Sequence, residues 1–226
     1  MTSYDIAFHH ATAHGVLTAV HIPDRPDPVP EEHLARLHPA EADHARSLRG
    51  HRQVQFVGGR LALRSACEQL GVRPGPLLSD ARGAPVVPAG LVGSVSHKRD
   101  LAVGMVAGPD EGTLGVDLED YLPARPAIAS HVLTPAEQAA IEHLPDLRKW
   151  ISILLRFSIK ESIYKALDPY VRRYVGFQEA EVTPGLDGEA TVLLRLAQGE
   201  GPFEVDARYH WIHGRLLTSV RIRPRD

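Results

Sequence analysis

Cysteine, long apolar runs and an early basic region are scarce or missing in this chain. Its single cysteine, Cys67, cannot form an intramolecular disulfide or a cysteine-ligated zinc site. No apolar run approaches the roughly 18 residues that a membrane-spanning helix requires. The first lysine or arginine is Arg25, so the start of the chain lacks the regions of a secretory signal. We therefore expect a cytoplasmic protein that makes no membrane contact.

An excess of one charge is also lacking. The chain has 25 lysine and arginine residues against 28 aspartate and glutamate residues, and the net charge of −3 argues against a nucleic-acid partner. Only four of the basic residues are lysines, at positions 98, 149, 160 and 165. Since arginine is the usual cation of this chain, each lysine is a candidate for a specific role.

Apolar periodicity predicts strands and helices in both halves of the chain. Strands are predicted over 4–8, 15–22, 91–95, 101–107, 113–118, 190–196, 203–212 and 215–223. Helices are predicted over 31–37, 40–70 and 146–168, with another beginning at the capping-box sequence Thr134–Glu137. A turn-rich stretch at 108–112 marks the expected boundary between an N-terminal half, 1–110, and a C-terminal half, 111–226. The predicted fold class is α+β.

Two acidic residues share one face of the strand predicted after this boundary. Asp117 and Glu119 are two residues apart, and side chains at that spacing point to the same side of a strand. Two carboxylates so close repel each other unless a cation joins them, and hard oxygen ligands suit Mg²⁺. The alternative is a half-exposed strand whose acidic residues lie in solvent.

The helix predicted over 146–168 has an apolar face and a face with functional groups. Helical spacing places Leu155, Ile159, Ile163 and Ala166 on one side, and Phe157, Glu161, Tyr164 and Lys165 on the other, with Lys160 at its edge. A surface helix with an ordinary i,i+4 ion pair would have the same pattern. The large ring among polar groups, and two of four lysines in one hexapeptide, favour a buried cleft instead.

Several cationic or donor residues of the N-terminal half could bind an anion. Ser96 and His97 are adjacent at a strand end, so they cannot act as a nucleophile–base pair, but they can donate hydrogen bonds. Arg52 and Arg60 are eight residues apart on one predicted helix and can point the same way, as phosphate recognition requires. Arg82 lies in a cationic turn. The alternatives are an incidental histidine and salt-bridged surface arginines.

Taken in order, these residues resemble the 4′-phosphopantetheinyl transferases. The resemblance is closest to the Sfp-type group and, within it, to the enterobactin-type bacterial branch, and it covers about residues 50–180. Gly115-Val-Asp117-Leu-Glu119 matches one family motif. Phe157-Ser-x-Lys160-Glu161-Ser-x-Tyr-Lys165 matches the other, about forty residues later, and the two motifs together are specific.

The resemblance implies an activity and roles for the C-terminal residues. Such enzymes transfer the phosphopantetheine arm of coenzyme A to a serine of an acyl or peptidyl carrier protein and release 3′,5′-ADP. By similarity, Asp117, Glu119 and Glu161 would hold Mg²⁺, with Mn²⁺ as an alternative. Glu161 would also accept the serine proton, directly or through water, and Lys165 and Lys160 would neutralise charge on the pyrophosphate.

The N-terminal residues match coenzyme A contacts of the family. Arg52, Arg60 and His97 match positions that bind the 3′-phosphate. Arg82 matches a basic position near the phosphates, and Ser96 is expected to hydrogen-bond close by. Many relatives have tryptophan where this chain has Phe157, although the branch that it most resembles accepts phenylalanine there.

The resemblance also implies an architecture and a range of partners. Two similar α+β halves would be related by a pseudo-twofold axis, with the active site in the cleft between them, in a monomer. The carrier domains of polyketide, nonribosomal-peptide, fatty-acid or siderophore synthesis are the expected partners. Two alternatives remain open: a catalytically inactive coenzyme A-binding module, and another Mg²⁺-dependent enzyme that hydrolyses nucleotide phosphates.

Overall fold

A computed structural model describes residues 4–225 as two compact units that divide between Asp110 and Glu111. Each unit has one antiparallel sheet and one long helix packed on it, which confirms the α+β class. Within the described range, no helix combines the length and the apolar character needed to cross a bilayer.

The first unit has a four-stranded sheet in the order β1-β2-β4-β3. Its elements are β1 (Ile6–Thr12), β2 (Gly15–His21), α1 (Glu31–Leu34), α2 (Pro39–Ser47), α3 (His51–Gln69), β3 (Val92–Lys98) and β4 (Leu101–Ala107). The helix predicted over 40–70 is therefore two helices. Gly50 separates them with a φ of 60°, a left-handed conformation that glycine adopts without strain.

The second unit has a five-stranded sheet in the order β5-β9-β8-β7-β6. Its elements are β5 (Thr113–Asp120), α4 (Ala129–Val132), α5 (Pro135–Ile141), α6 (Asp146–Val171), β6 (Ala180–Pro184), β7 (Glu189–Leu194), β8 (Phe203–Ile212) and β9 (Arg215–Pro224). Sequence reasoning missed β6 and ended α6 before Pro169. The helix instead includes this proline in its last turn and ends where Arg172 turns left-handed, with a φ of 50°.

A glycine beneath the long helix determines how closely helix and sheet approach in each unit. A Cβ on Gly104 of β4 would overlap the backbone of α3 at Leu63, and a Cβ on Gly115 of β5 would overlap the carbonyl oxygen of Ser162 in α6. Gly115, Asp117 and Glu119 are every second residue of β5, so all three lie on the face of the strand that packs against α6. The glycine of this motif therefore lets α6 lie close to the two carboxylates.

A buried capping-box glutamate connects a short helix to the long helix in each unit. Glu41 caps α2 and Glu137 caps α5, each following Pro-Ala. Glu41 also accepts a hydrogen bond from Arg64 of α3 at 2.9 Å, and Glu137 accepts one from Lys160 of α6 at 2.7 Å. In each unit, the glutamate that caps the short helix therefore also accepts a hydrogen bond from the long helix.

Candidate active site

Asp117 is held by two donors from the same helix. It is 5% exposed, and its Oδ1 accepts a hydrogen bond from Lys165 Nζ at 3.0 Å, while its Oδ2 accepts one from Ser158 Oγ at 2.8 Å. Lys165 also donates to the carbonyl oxygen of Val116 at 2.7 Å. Each oxygen of the carboxylate therefore accepts a hydrogen bond from α6.

Glu119 and Glu161 are electrostatic neighbours of Asp117. Glu119 is buried, and its Oε2 accepts a hydrogen bond from an Arg125 Nη at 3.1 Å. Burial raises the pKa of Glu161, and the charges of Asp117 and, more weakly, Glu119 add to this rise, while Lys165 opposes it. The charges of Asp117 and Glu119 therefore both act on Glu161, the third carboxylate that the sequence singled out.

The carboxylate oxygens of Asp117, Glu119 and Glu161 are ligands of the chemical type that Mg²⁺ prefers. Among residues 4–225, no three histidine, cysteine, aspartate or glutamate side chains are arranged closely enough to form a metal site. Instead, Lys165 and Arg125 supply positive charge to Asp117 and Glu119. Carboxylate oxygens that repel one another are nevertheless what a hard divalent cation would stabilise.

The two lysines of the helical motif occupy different environments. The Lys165 side chain is 31% exposed, so its ammonium can reach a ligand. Lys160 is fully buried and donates to the carbonyl oxygens of Val132 and Phe177, at 2.8 and 2.9 Å, and to Glu137. The expectation that Lys160 neutralises a pyrophosphate is therefore wrong for this structure, because all three of its donor hydrogens are used inside the protein.

Replacing Glu137 with glutamine is expected to lower the free energy of unfolding by about 3 kcal/mol or more, because it leaves two buried cations without a counter-charge. Lys160 bonds to this carboxylate, and Arg156 lies 3.9 Å from it. Urea denaturation measures the loss. The control is the double variant with Lys160→Met, which should recover part of the stability. A Glu137→Gln variant as stable as the wild type would contradict the role of the carboxylate.

An aromatic group lies beside Glu161 on α6. The Phe177 ring contacts Phe157 and Tyr164, with centroids 5.8 and 5.3 Å apart, and it also contacts His131. The Tyr164 hydroxyl is buried and has no hydrogen-bond partner among the described residues. The sequence placed Phe157 and Tyr164 near Glu161 by helical spacing, but gave no signal for Phe177, which follows the helix in a 3₁₀ turn.

The first unit contains a pocket of about 290 Å³ that gathers the predicted anion-binding residues. Arg52, Arg60 and His97 line it. His44, Leu48, Gln55, Phe56, Gly59, Ser79, Gly83 and Val95 complete its walls. Helical spacing along α3 explains how the two arginines reach one pocket. Three of the other lining residues, Gln55, Phe56 and Gly59, also lie on α3, while the rest come from other segments, and sequence reasoning did not predict them.

Arg60 is the most enclosed of these cations. It is 3% exposed, donates to Ser79 Oγ at 2.6 Å, and its guanidinium lies 4.4 Å from the centre of the Phe56 ring. Burial lowers its pKa to about 10, with the charge of Glu41 opposing this shift. Arg60 therefore remains a cation at neutral pH, fixed against the wall of the pocket.

Ser96 and Arg82, the two other predicted ligands of the first unit, are not among the residues that line this pocket. Ser96 is buried, and Val95 and His97 line the pocket, so strand alternation turns Ser96 to the opposite face. The expectation that Ser96 hydrogen-bonds close to the phosphate stays a prediction. Arg82 is exposed in a turn next to Gly83, and Asp80 Oδ1 accepts a hydrogen bond from its backbone N–H at 2.9 Å.

Comparison with known families gives matches over most of the chain. Residues 40–107 match the profile of the 4′-phosphopantetheinyl transferase N-terminal domain, and residues 113–219 match that of the 4′-phosphopantetheinyl transferase superfamily. These two ranges contain both motifs and the residues that line the pocket around Arg52.

Individual relatives of the chain include two proteins named as 4′-phosphopantetheinyl transferases. The chain is 33% identical to 4′-phosphopantetheinyl transferase Svp of Streptomyces mobaraensis, over 84% of this chain and 77% of the relative. It is 33% identical to PptT of Mycobacterium tuberculosis, over 75% and 78%, and 32% identical to enterobactin synthase component D of Salmonella typhi, over 62% and 58%. A holo-(acyl-carrier-protein) synthase structure from Bacillus anthracis aligns with a TM-score of 0.41 and 17% identity, over 50% of this chain and 96% of that one.

Proposed function

Because the chain belongs to the 4′-phosphopantetheinyl transferase superfamily, as an enzyme of the Sfp type, we propose that it modifies a serine of an acyl or peptidyl carrier protein. The serine oxygen attacks the phosphorus that carries the pantetheine arm of coenzyme A. A new P–O bond forms, the pyrophosphate P–O bond breaks, and 3′,5′-ADP leaves.

The pocket of the first unit is proposed to bind the 3′-phosphate of coenzyme A. Arg52 and Arg60 would supply fixed positive charge, and His97 would supply a further donor. Arginine suits this task because its planar guanidinium can make two parallel hydrogen bonds to a phosphate. Arg82, exposed beside Gly83 of the pocket wall, would contact the phosphates more loosely.

The carboxylates of the second unit are proposed to hold Mg²⁺ through Asp117, Glu119 and Glu161. Bound there, the ion would neutralise charge on the pyrophosphate. Lys165 would donate to a phosphate oxygen, because its side chain is partly exposed and its ammonium already lies against Asp117. Glu161 would accept the proton of the serine hydroxyl. A carboxylate can act as a general base when it lies within hydrogen-bond reach of the proton that it accepts.

One observation carries the catalytic proposal over the alternatives. The carboxylates of Asp117 and Glu119, whose charges act on Glu161 beside a partly exposed ammonium, are not needed in a module that only binds coenzyme A. An enzyme that transfers a phosphoryl group needs such an arrangement, since positioning and cations supply most of its catalysis.

The direct test incubates the protein with coenzyme A, Mg²⁺ and an apo carrier protein, and weighs the carrier by mass spectrometry. We expect the carrier to gain the mass of the phosphopantetheine arm and 3′,5′-ADP to appear. A carrier whose acceptor serine is alanine should stay unmodified. Release of 3′,5′-ADP with no change in the carrier would instead support a nucleotide hydrolase.

Relatives named for enterobactin synthesis support a carrier of a siderophore or related pathway as the physiological partner. We further propose that the protein acts as a cytoplasmic monomer, because both ligand sets belong to one chain. Light scattering at working concentration tests the oligomeric state.

Replacing Arg52 with alanine is expected to raise the KM for coenzyme A while changing kcat little, because the guanidinium would bind a phosphate remote from the reacting bond. With 3′-dephospho-coenzyme A, which lacks that phosphate, the same variant should behave like the wild type. Arg60→Ala should follow the same pattern with some loss of stability, since Arg60 is buried. Arg49→Ala, an exposed arginine near the same helix, is the control. Equal losses on both substrates would exclude a 3′-phosphate clamp.

A further inference from the structure

Three buried hydroxyls lie beside Asp117 and are connected to it by hydrogen-bond distances. Ser158 and Ser162 are one turn apart on α6, Thr218 lies on β9, and all three side chains have no exposed surface. Thr218 is the direct cross-strand partner of Asp117 in the antiparallel pair of β5 and β9. Directly paired residues of neighbouring strands share a face of the sheet, so the hydroxyl and the carboxylate both face α6.

The hydroxyls form a chain that ends on the carboxylate. Ser162 Oγ lies 2.7 Å from Thr218 Oγ1, which lies 3.0 Å from Ser158 Oγ, and Ser158 Oγ donates to Asp117 Oδ2 at 2.8 Å. An ionised carboxylate only accepts hydrogen bonds, so the single proton of Ser158 is committed to Asp117. Thr218 Oγ1 has a single proton, and both the hydroxyl oxygen and the carbonyl oxygen of Ser158, at 3.0 and 2.9 Å, lie within its reach as acceptors.

The two oxygens of Asp117 are therefore fixed from one side by a single helix. Ser158 holds Oδ2 and Lys165 holds Oδ1, and these donors are two helical turns apart. Two such contacts restrict rotation of the carboxylate about its χ2 angle, a rotation that is otherwise soft.

We propose that Ser158 is a positioning residue, which orients Asp117 for metal binding without touching the metal or the substrate itself. The inference rests on the proposed function, in which Asp117 is a metal ligand. Hydrogen-bond partners of metal ligands generally contribute to affinity, and their loss lowers it about 10–100-fold.

Ser162 provides a matched control for this role. It is the same residue type, on the same helix, equally buried, and bonded to the same Thr218, but it does not contact Asp117. Ser158→Ala and Ser162→Ala each remove one buried hydroxyl, so a purely structural effect should weaken both proteins alike. The two variants should differ in metal affinity only if the Ser158 hydroxyl acts through Asp117.

The experiment measures Mn²⁺ binding to each protein, without coenzyme A, by electron paramagnetic resonance of the free ion. Ser158→Ala is expected to raise the Kd for Mn²⁺ about 10-fold or more, while Ser162→Ala stays close to the wild type. The unfolding temperatures of the two variants should fall by similar amounts. Unchanged affinity in Ser158→Ala, or equal weakening in both variants, would overturn the positioning role.

Asp117→Ala separates this inference from the function on which it rests. If that variant loses Mn²⁺ binding while Ser158→Ala keeps it, the metal assignment stands and the positioning role fails. If the wild type and Asp117→Ala bind Mn²⁺ equally, the metal assignment fails, and the role of Ser158 fails with it.

Discussion

Replacing Glu161 with glutamine is expected to lower kcat by about 10²-fold or more, the usual effect of losing a general base. The amide keeps the shape of the side chain but cannot accept the proton of the incoming serine. Glu161 lies one helical turn from both Phe157 and Lys165, where burial and the charge of Asp117 raise its pKa. Glutamine removes this ionisable group and leaves the neighbouring charges in place.

Single-turnover kinetics with a carrier protein measure this loss, and calorimetry measures coenzyme A affinity separately. Affinity should change far less than kcat, because the pocket around Arg52 would supply most of the binding. Glu142→Gln, an exposed carboxylate on the same unit, controls for loss of charge alone. If Glu161→Gln lost coenzyme A binding while its bound fraction turned over normally, Glu161 would be a ligand and not the base.

The parts of the site that sequence predicted well depend on short-range periodicity. Two-residue alternation brought Asp117 and Glu119 to one face of β5, and helical spacing brought Glu161 and Lys165 to one side of α6. These relations are fixed within a single element, whatever the rest of the fold does. The structure keeps both arrangements, and the close approach at Gly115 adds the reason why the strand and the helix meet there.

The parts that sequence missed depend on contacts between distant segments. Lys160 is buried because Glu137, 23 residues earlier, and the carbonyl oxygen of Phe177, 17 residues later, surround its ammonium. Helical spacing could place it only at the edge of the polar face. In the same way, Ser79 accepts a hydrogen bond from Arg60, which lies 19 residues earlier on α3. No local pattern encodes such pairs, since each needs the completed tertiary structure.

Element boundaries failed for a related reason. Gly50 interrupts the helix predicted over 40–70, although glycine alone does not always end a helix. Pro169 was expected to end α6, but it lies in the last turn. Tertiary packing stabilised the helix beyond the point at which local preference would have ended it.

Replacing Asp117 with alanine is expected to abolish transfer and to leave the fold intact. Loss of one metal ligand should remove several kcal/mol of transition-state stabilisation, and about 4 kcal/mol corresponds to roughly a 10³-fold slower reaction. The fold should survive because the two donors from α6, Lys165 and Ser158, each have another acceptor. Lys165 keeps its bond to the carbonyl oxygen of Val116, and the Ser158 hydroxyl can turn to Thr218.

Transfer to a carrier protein across a range of Mg²⁺ concentrations measures the effect, with circular dichroism as the check on folding. Asp120→Ala is the matched control, because Asp120 ends the same strand but pairs with Arg215 at 2.8 Å. That variant should lose some stability and keep its dependence on Mg²⁺. Loss of a ligand should both weaken the affinity for the ion and change how the ion is held against the pyrophosphate, so additional Mg²⁺ should restore occupancy of the site but not the rate. Near-wild-type turnover of Asp117→Ala at saturating Mg²⁺ would therefore remove Asp117 from the metal site.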